Sequence, residues 1–218
     1  MSVSKIDSLR PDEPESAGRR RFLIAATGVL GAGAAGLFVD VLVQNMNPGK
    51  AVAALGAPID IDVSKVEPGQ LIVAEWKKKP VWILHREDWM LKTLSKPGLL
   101  ERLKDPTSKY NQQPTPAFVN GNYRALKPNI FVAVALCTHA QCIPDYRATP
   151  HTVTSWWYGG FHCPCHGSTY DFSARVIEGS PAPMNIPIPP YYWKSSSVVR
   201  IGETSADGGH ESWTPDIW

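Results

Sequence analysis

Cys137-Thr138-His139-Ala140-Gln141-Cys142 and Cys163-Pro164-Cys165-His166-Gly167-Ser168 each place two thiols and one imidazole within six residues, with 20 residues between the two boxes. Thiolate and imidazole are the donors that proteins offer to zinc and to iron–sulfur centres. Four sulfurs and two imidazoles are too many for one tetrahedral zinc. An economical partition gives Cys137, His139, Cys163 and His166 to a metal and leaves Cys142 and Cys165 able to join each other. On the residues alone such a site holds either one zinc ion, or a [2Fe–2S] cluster with cysteines on one iron and histidines on the other. His85, His151, His162 and His210 have no comparable neighbours and read as structural or incidental.

The segments around the boxes must hold them still, and their pattern is β. Ile130 to Leu136 is a buried-strand candidate that runs straight into box one, and Thr169 to Phe172 and Arg175 to Ile177 follow box two. Ile59, Ile61 and Val63 alternate, Leu71 to Trp76 and Val81 to Leu84 are apolar runs, and Ser197 to Ile201 ends the strand-rich part. Between Arg86 and Lys104, apolar residues fall at helical spacing around a break at Pro97-Gly98. Twenty prolines and 17 glycines in 218 residues argue against a helical bundle, because proline costs about 3 kcal/mol inside a helix. A net charge of +2 with no long basic block excludes nucleic acid as a partner. At 24.0 kDa the chain has room for one domain and some extras.

The N-terminus sets the compartment. Residues 1–21 are polar and end in Arg19-Arg20-Arg21; residues 22–43 carry one charge, Asp40, near their far end. As a helix those 22 residues span about 33 Å, matching a hydrocarbon slab of about 30 Å. The arginines put the N-terminus on the cytoplasmic side and everything after Gln44 on the other. Arg19 to Leu23 also reads as a twin-arginine export signal. Ala51-Val52-Ala53 offers a cleavage site, but the apolar run exceeds that of a cleaved signal, so an uncut anchor is expected. Gly31 to Gly36 fits G-x-G-x-x-G, yet it lies inside the apolar span, where Ala32 and Gly36 serve helix contact rather than a dinucleotide. Residues 44–57 read as a flexible hinge linker, and 58–218 as an exported, periplasmic domain.

The boxes resemble those of the Rieske iron–sulfur proteins, in particular the membrane-anchored subunit of quinol–cytochrome c oxidoreductases (bacterial cytochrome bc1 complexes), whose pattern is C-T-H-x-G-C followed by C-P-C-H-G-S. The arginine run, span, linker, boxes and the loop Gly179-Ser180-Pro181-Ala182-Pro183 follow in that family's order, so the likeness runs from Arg19 to about Ile201. It implies a mainly β fold: one N-terminal transmembrane helix, then a Rieske-type antiparallel β-sheet domain with a small cluster-binding subdomain over about 136–184. It implies one [2Fe–2S] cluster on Cys137, His139, Cys163 and His166, a Cys142–Cys165 disulfide, and hydroxyls of Ser168 and Tyr170 bonded to cluster and cysteine sulfurs. Gly179, Pro181 and Pro183 would form the proline loop over the cluster. One departure stands out: Ala140-Gln141 replaces the family's Leu-Gly, and loss of the glycine is expected to shift the loop.

Imidazoles in place of thiolates reduce negative charge at the cluster, which favours electron uptake and so fits quinol oxidation. The resemblance implies that His166 meets the quinol and takes up its proton, and that the head moves between cytochrome b and cytochrome c1 within a dimeric complex in the bacterial inner membrane. Two alternatives are a Rieske ferredoxin or oxygenase carrier, whose relatives lack the extra cysteine pair, and an exported structural zinc domain.

Overall fold

The computed structural model describes residues 16–47, 49, 56–109, 119 and 121–204. It divides into two compact units, Met1–Val52 and Ala53–Trp218. Residues 48 and 50–55 of the expected linker over 44–57, and His210 with the tail beyond 204, lie outside the described residues.

In the first unit, a stretch without proline and with few charges forms helix α1, Ala17–Met46. Ser16 caps it, its Oγ accepting from the Arg19 N–H at 3.1 Å, which satisfies one of the donors a helix start leaves orphaned. Its 30 residues reach beyond both ends of the 22–43 span and take in the three arginines. Its most apolar 18-residue window has a mean hydropathy of 2.0, and no residue of the helix is buried. Asp40 accepts a hydrogen bond from Gln44 Nε2, one turn on, at 2.7 Å, which softens the cost of a carboxylate in an apolar span.

The second unit has short strands: β1 (Ile59–Asp62), β2 (Leu71–Trp76), β3 (Lys79–His85), β4 (Ile130–Val134), β5 (Asp145–Arg147), β6 (Gly160–His162), β7 (Thr169–Tyr170), β8 (Tyr191–Trp193) and β9 (Val198–Ile201). They pair antiparallel in three three-stranded sheets, ordered β1-β9-β8, β2-β3-β4 and β5-β6-β7. β4 is buried along its whole length and Val81 to Leu84 of β3 are closed to solvent, as expected of apolar runs covered on both faces. The helical pattern after Arg86 resolves into α2 (Asp88–Thr93) and α3 (Pro97–Leu100), with Pro97 opening the second where it cannot continue the first.

Arg175 to Ile177 does not become a strand. Asp171 Oδ1 accepts from the Ser173 and Arg175 amides at 2.9 Å each, folding the chain into a tight turn, and only the isolated bridges Tyr170–Val176 and Leu103–Ile177 remain. The third sheet is fastened to the second by Phe161, which stacks on Trp82 with centroids 4.1 Å apart. A Cβ at Gly160 would collide with the Tyr170 carbonyl, so only glycine lets β6 come this close to β7.

Candidate metal centre

Box one leaves the end of β4 and box two joins β6 to β7, and both close in the same way. The Cys137 N–H donates to Cys142 O at 2.8 Å and the Gln141 N–H to Cys137 O at 2.9 Å; the Cys163 N–H donates to Ser168 O at 2.8 Å and the Gly167 N–H to Cys163 O at 3.0 Å. Each turn needs a left-handed fifth residue, met by Gly167 at φ 76 and by Gln141 at φ 60. Gln141 adopts the left-handed conformation that glycine takes in the second turn, and the hydrogen-bonded closure is intact.

Cys142 and Cys165 form a disulfide that ties one turn to the other. The Sγ atoms of Cys142, Cys163 and Cys165 lie within 4.8 Å of one another, but the bonded pair has no thiolate to give a metal. Cys137 and Cys163 are free and buried, and outside them the exposed rings of His139 and His166 meet edge to face with centroids 4.7 Å apart. The structure thus sets the Cys137 thiol against the Cys163 thiol and the His139 ring against the His166 ring. His85 instead bonds Val66 O through Nδ1 at 2.6 Å, and His162 bonds Thr169 Oγ1 at 3.3 Å.

The two thiols differ in electrostatics. Burial pushes the Cys137 thiol up, but hydrogen bonds from the Tyr170 hydroxyl, the His139 amide, Cys163 and Ser168 outweigh it and set it below its ordinary range. Burial pushes the Cys163 thiol up, and the neighbouring Cys137 adds to this against the Cys165 and His166 amides. Tyr170 Oη lies 3.2 Å from Cys137 Sγ. Burial first, then the Cys137 sulfur, drive its phenol far above the ordinary value, so it keeps its proton and remains a donor.

The surroundings add residues that motif reading passes over. Thr138 Oγ1 donates to Met184 O at 2.7 Å, and Trp157 Nε1 donates to Tyr170 O at 3.1 Å. In the proline loop Gly179 has φ 80, Pro181 and Pro183 are exposed, and Ala182 between them is buried. The Ala182 N–H donates to the buried Ser168 Oγ at 3.1 Å, and Lys104 Nζ donates to Ser180 O and Ala182 O. Thr138 lies within a box, whereas nothing in composition marks Lys104. Two thiols and two imidazoles, with hydroxyl and amide donors near the Cys137 sulfur, are a donor set that a two-iron cluster can use.

Residues 105–190 match the family model described as Rieske [2Fe-2S] domain, and residues 9–49 match the one described as Ubiquitinol-cytochrome C reductase Fe-S subunit TAT signal. The ubiquinol-cytochrome c reductase iron-sulfur subunit of Allochromatium vinosum is 45% identical over 187 residues, covering 85% of this chain and 88% of that protein. The protein of the same name from Blastochloris viridis is 39% identical over 184 residues, covering 84% of this chain and 92% of its own length.

Proposed function

The chain belongs to the family of ubiquinol–cytochrome c reductase iron–sulfur subunits, and on that footing we propose that it is the electron-carrying subunit of a quinol–cytochrome c oxidoreductase. Cys137 and Cys163 would hold one iron of a [2Fe–2S] cluster, and His139 and His166 the other. The observation that carries this is the pairing of two buried free thiols with two exposed imidazoles 4.7 Å apart at one tip. When bound, the cluster supplies a one-electron centre of raised potential, because its histidine iron carries less negative charge than an all-cysteine one.

The chain's own residues do the rest. His166 is exposed, so the ring nitrogen it keeps free of metal can meet a quinol hydroxyl and hold its proton. His139 is the second exposed ring. Tyr170 and Ser168 stabilise added negative charge on sulfur. Residues 22–43 act as an uncut signal anchor with the N-terminus in the cytoplasm and the head, residues 58–218, in the periplasm; residues 136–184 form its cluster-binding part. Cytochrome b, where quinol is oxidised, and cytochrome c1, the acceptor, are the partners in a dimeric complex, and residues 44–57 let the head travel between them.

Low-temperature EPR of membranes carrying the full-length chain, reduced with ascorbate, tests the reading. A rhombic signal of low average g is expected from a histidine-ligated [2Fe–2S] centre. Stoichiometric zinc with no such signal, even after reconstitution with iron and sulfide, would overturn it.

A further inference from the structure

Pro181 and Pro183 leave a single amide between them, that of Ala182, and it is spent on Ser168 Oγ at 3.1 Å. The carbonyls on either side of it, Ser180 O and Ala182 O, both accept from Lys104 Nζ, at 3.0 and 2.9 Å. Lys104 is well anchored for this task. Its own N–H donates to Val176 O at 3.0 Å, Leu103 bridges Ile177, and the Glu178 N–H returns to Arg102 O at 2.7 Å. Among the described residues no carboxylate pairs with the ammonium. Ser168 is closed to solvent, its carbonyl closes the second turn on the Cys163 N–H at 2.8 Å, and its hydroxyl, whose oxygen accepts from Ala182, is among the groups that lower the Cys137 thiol. A hydroxyl that accepts one hydrogen bond donates the next more strongly.

We propose that Lys104 is a positioning residue for the metal centre: by clamping the Ser180 and Ala182 carbonyls it holds the Ala182 N–H on Ser168 and so fixes the Ser168 hydroxyl beside the cysteine sulfurs. This rests on the reading of Cys137 as a cluster ligand. Lys104 lies one residue before the segment matched by the Rieske domain model. The relay has a redox consequence, since a donor aimed at sulfur stabilises the negative charge that arrives on reduction. The ammonium charge also acts directly through space, and that route does not depend on Ser168.

EPR-monitored redox titration of the full-length protein in membranes separates the two routes. Lys104→Met is expected to lower the midpoint potential by a severalfold fall in the reduction equilibrium constant, tenfold being about 59 mV for one electron. In a Ser168→Ala background the same substitution should give less than half that shift, because coupled groups are not additive. Lys104→Arg should recover most of the wild-type value. If Lys104→Met does not accumulate, Lys104→Gln, which keeps a donor without the charge, carries the comparison in both backgrounds. Equal shifts with and without Ser168, or no shift at all, would overturn the proposal. A wild-type protein with no cluster signal would instead overturn the cluster reading.

Discussion

Gln141 holds a left-handed backbone at φ 60 where its counterpart in the second turn is Gly167, and its side chain is exposed, so it gives up no packing when removed. Left-handed geometry costs an ordinary L-residue about 1–2 kcal/mol, whereas glycine in an unfolded chain costs about 0.5–1 kcal/mol in entropy. The first outweighs the second. Gln141→Gly is therefore expected to stabilise the protein by about 0.5–1 kcal/mol, against the usual sign for glycine in a loop. Gln141→Val should destabilise it, and a shift of the urea midpoint at constant slope measures both. At this scale the candidate donors stood out because metal chemistry accepts few residue types, and Cys137, His139, Cys163 and His166 are of those types. Lys104 was not legible, because any long donor can bond a carbonyl and the choice leaves no trace in spacing. The conformation of Gln141 was hidden for a related reason: a left-handed position can be filled by a disfavoured residue when the hydrogen bonds around it over-determine the turn.

Among the elements, β3 and β4 were readable as apolar runs, because strands covered on both faces exclude polar residues. β5, β6 and β8 have three residues each, too few for a period to emerge, and β6 owes its place to Gly160 and to Phe161 against Trp82. Arg175 to Ile177 looked extended but is governed by Asp171, whose carboxylate takes two amides and the Arg175 guanidinium at 2.7 Å. The turns that carry the donors contain few apolar residues and depend on a covalent tie. Cys142 and Cys165 are 23 residues apart, and closing a loop of that length removes about 3 kcal/mol of unfolded-chain entropy. Replacing both with alanine should lower unfolding stability by about that amount. The two turns would then be joined through the β5–β6 pairing, the Tyr170 hydroxyl on Cys137 and Thr138, and any bound metal, so iron content per chain should fall as well. Full iron retention in the double variant would show that the sheet alone fixes the turns.

Taken whole, the chain joins an apolar helix to a β head through very few residues. α1 ends at Met46 and β1 begins at Ile59. The helix was legible because a hydrocarbon slab demands an uninterrupted apolar run. Its extension through the arginines was not, since a capping serine and helical continuity set that end rather than hydropathy. The connector, rich in small residues such as Ala51, Ala53, Ala54 and Gly56, has a composition suited to compliance. The twelve residues 47–58 can stretch about 40 Å at most, which bounds how far the head could travel from the helix. If electrons are delivered by that movement, stiffness of the connector should limit turnover without touching the metal site. Changing Ala51, Ala53 and Ala54 to proline favours an extended, semi-rigid chain, and changing them to glycine loosens it. The proline variant should keep its EPR signal and midpoint potential and lose quinol–cytochrome c turnover severalfold, while the glycine variant stays near wild type. Because the spectrum reports on the head and turnover on its travel, unchanged turnover alongside an intact signal would mean that the head delivers its electron without moving.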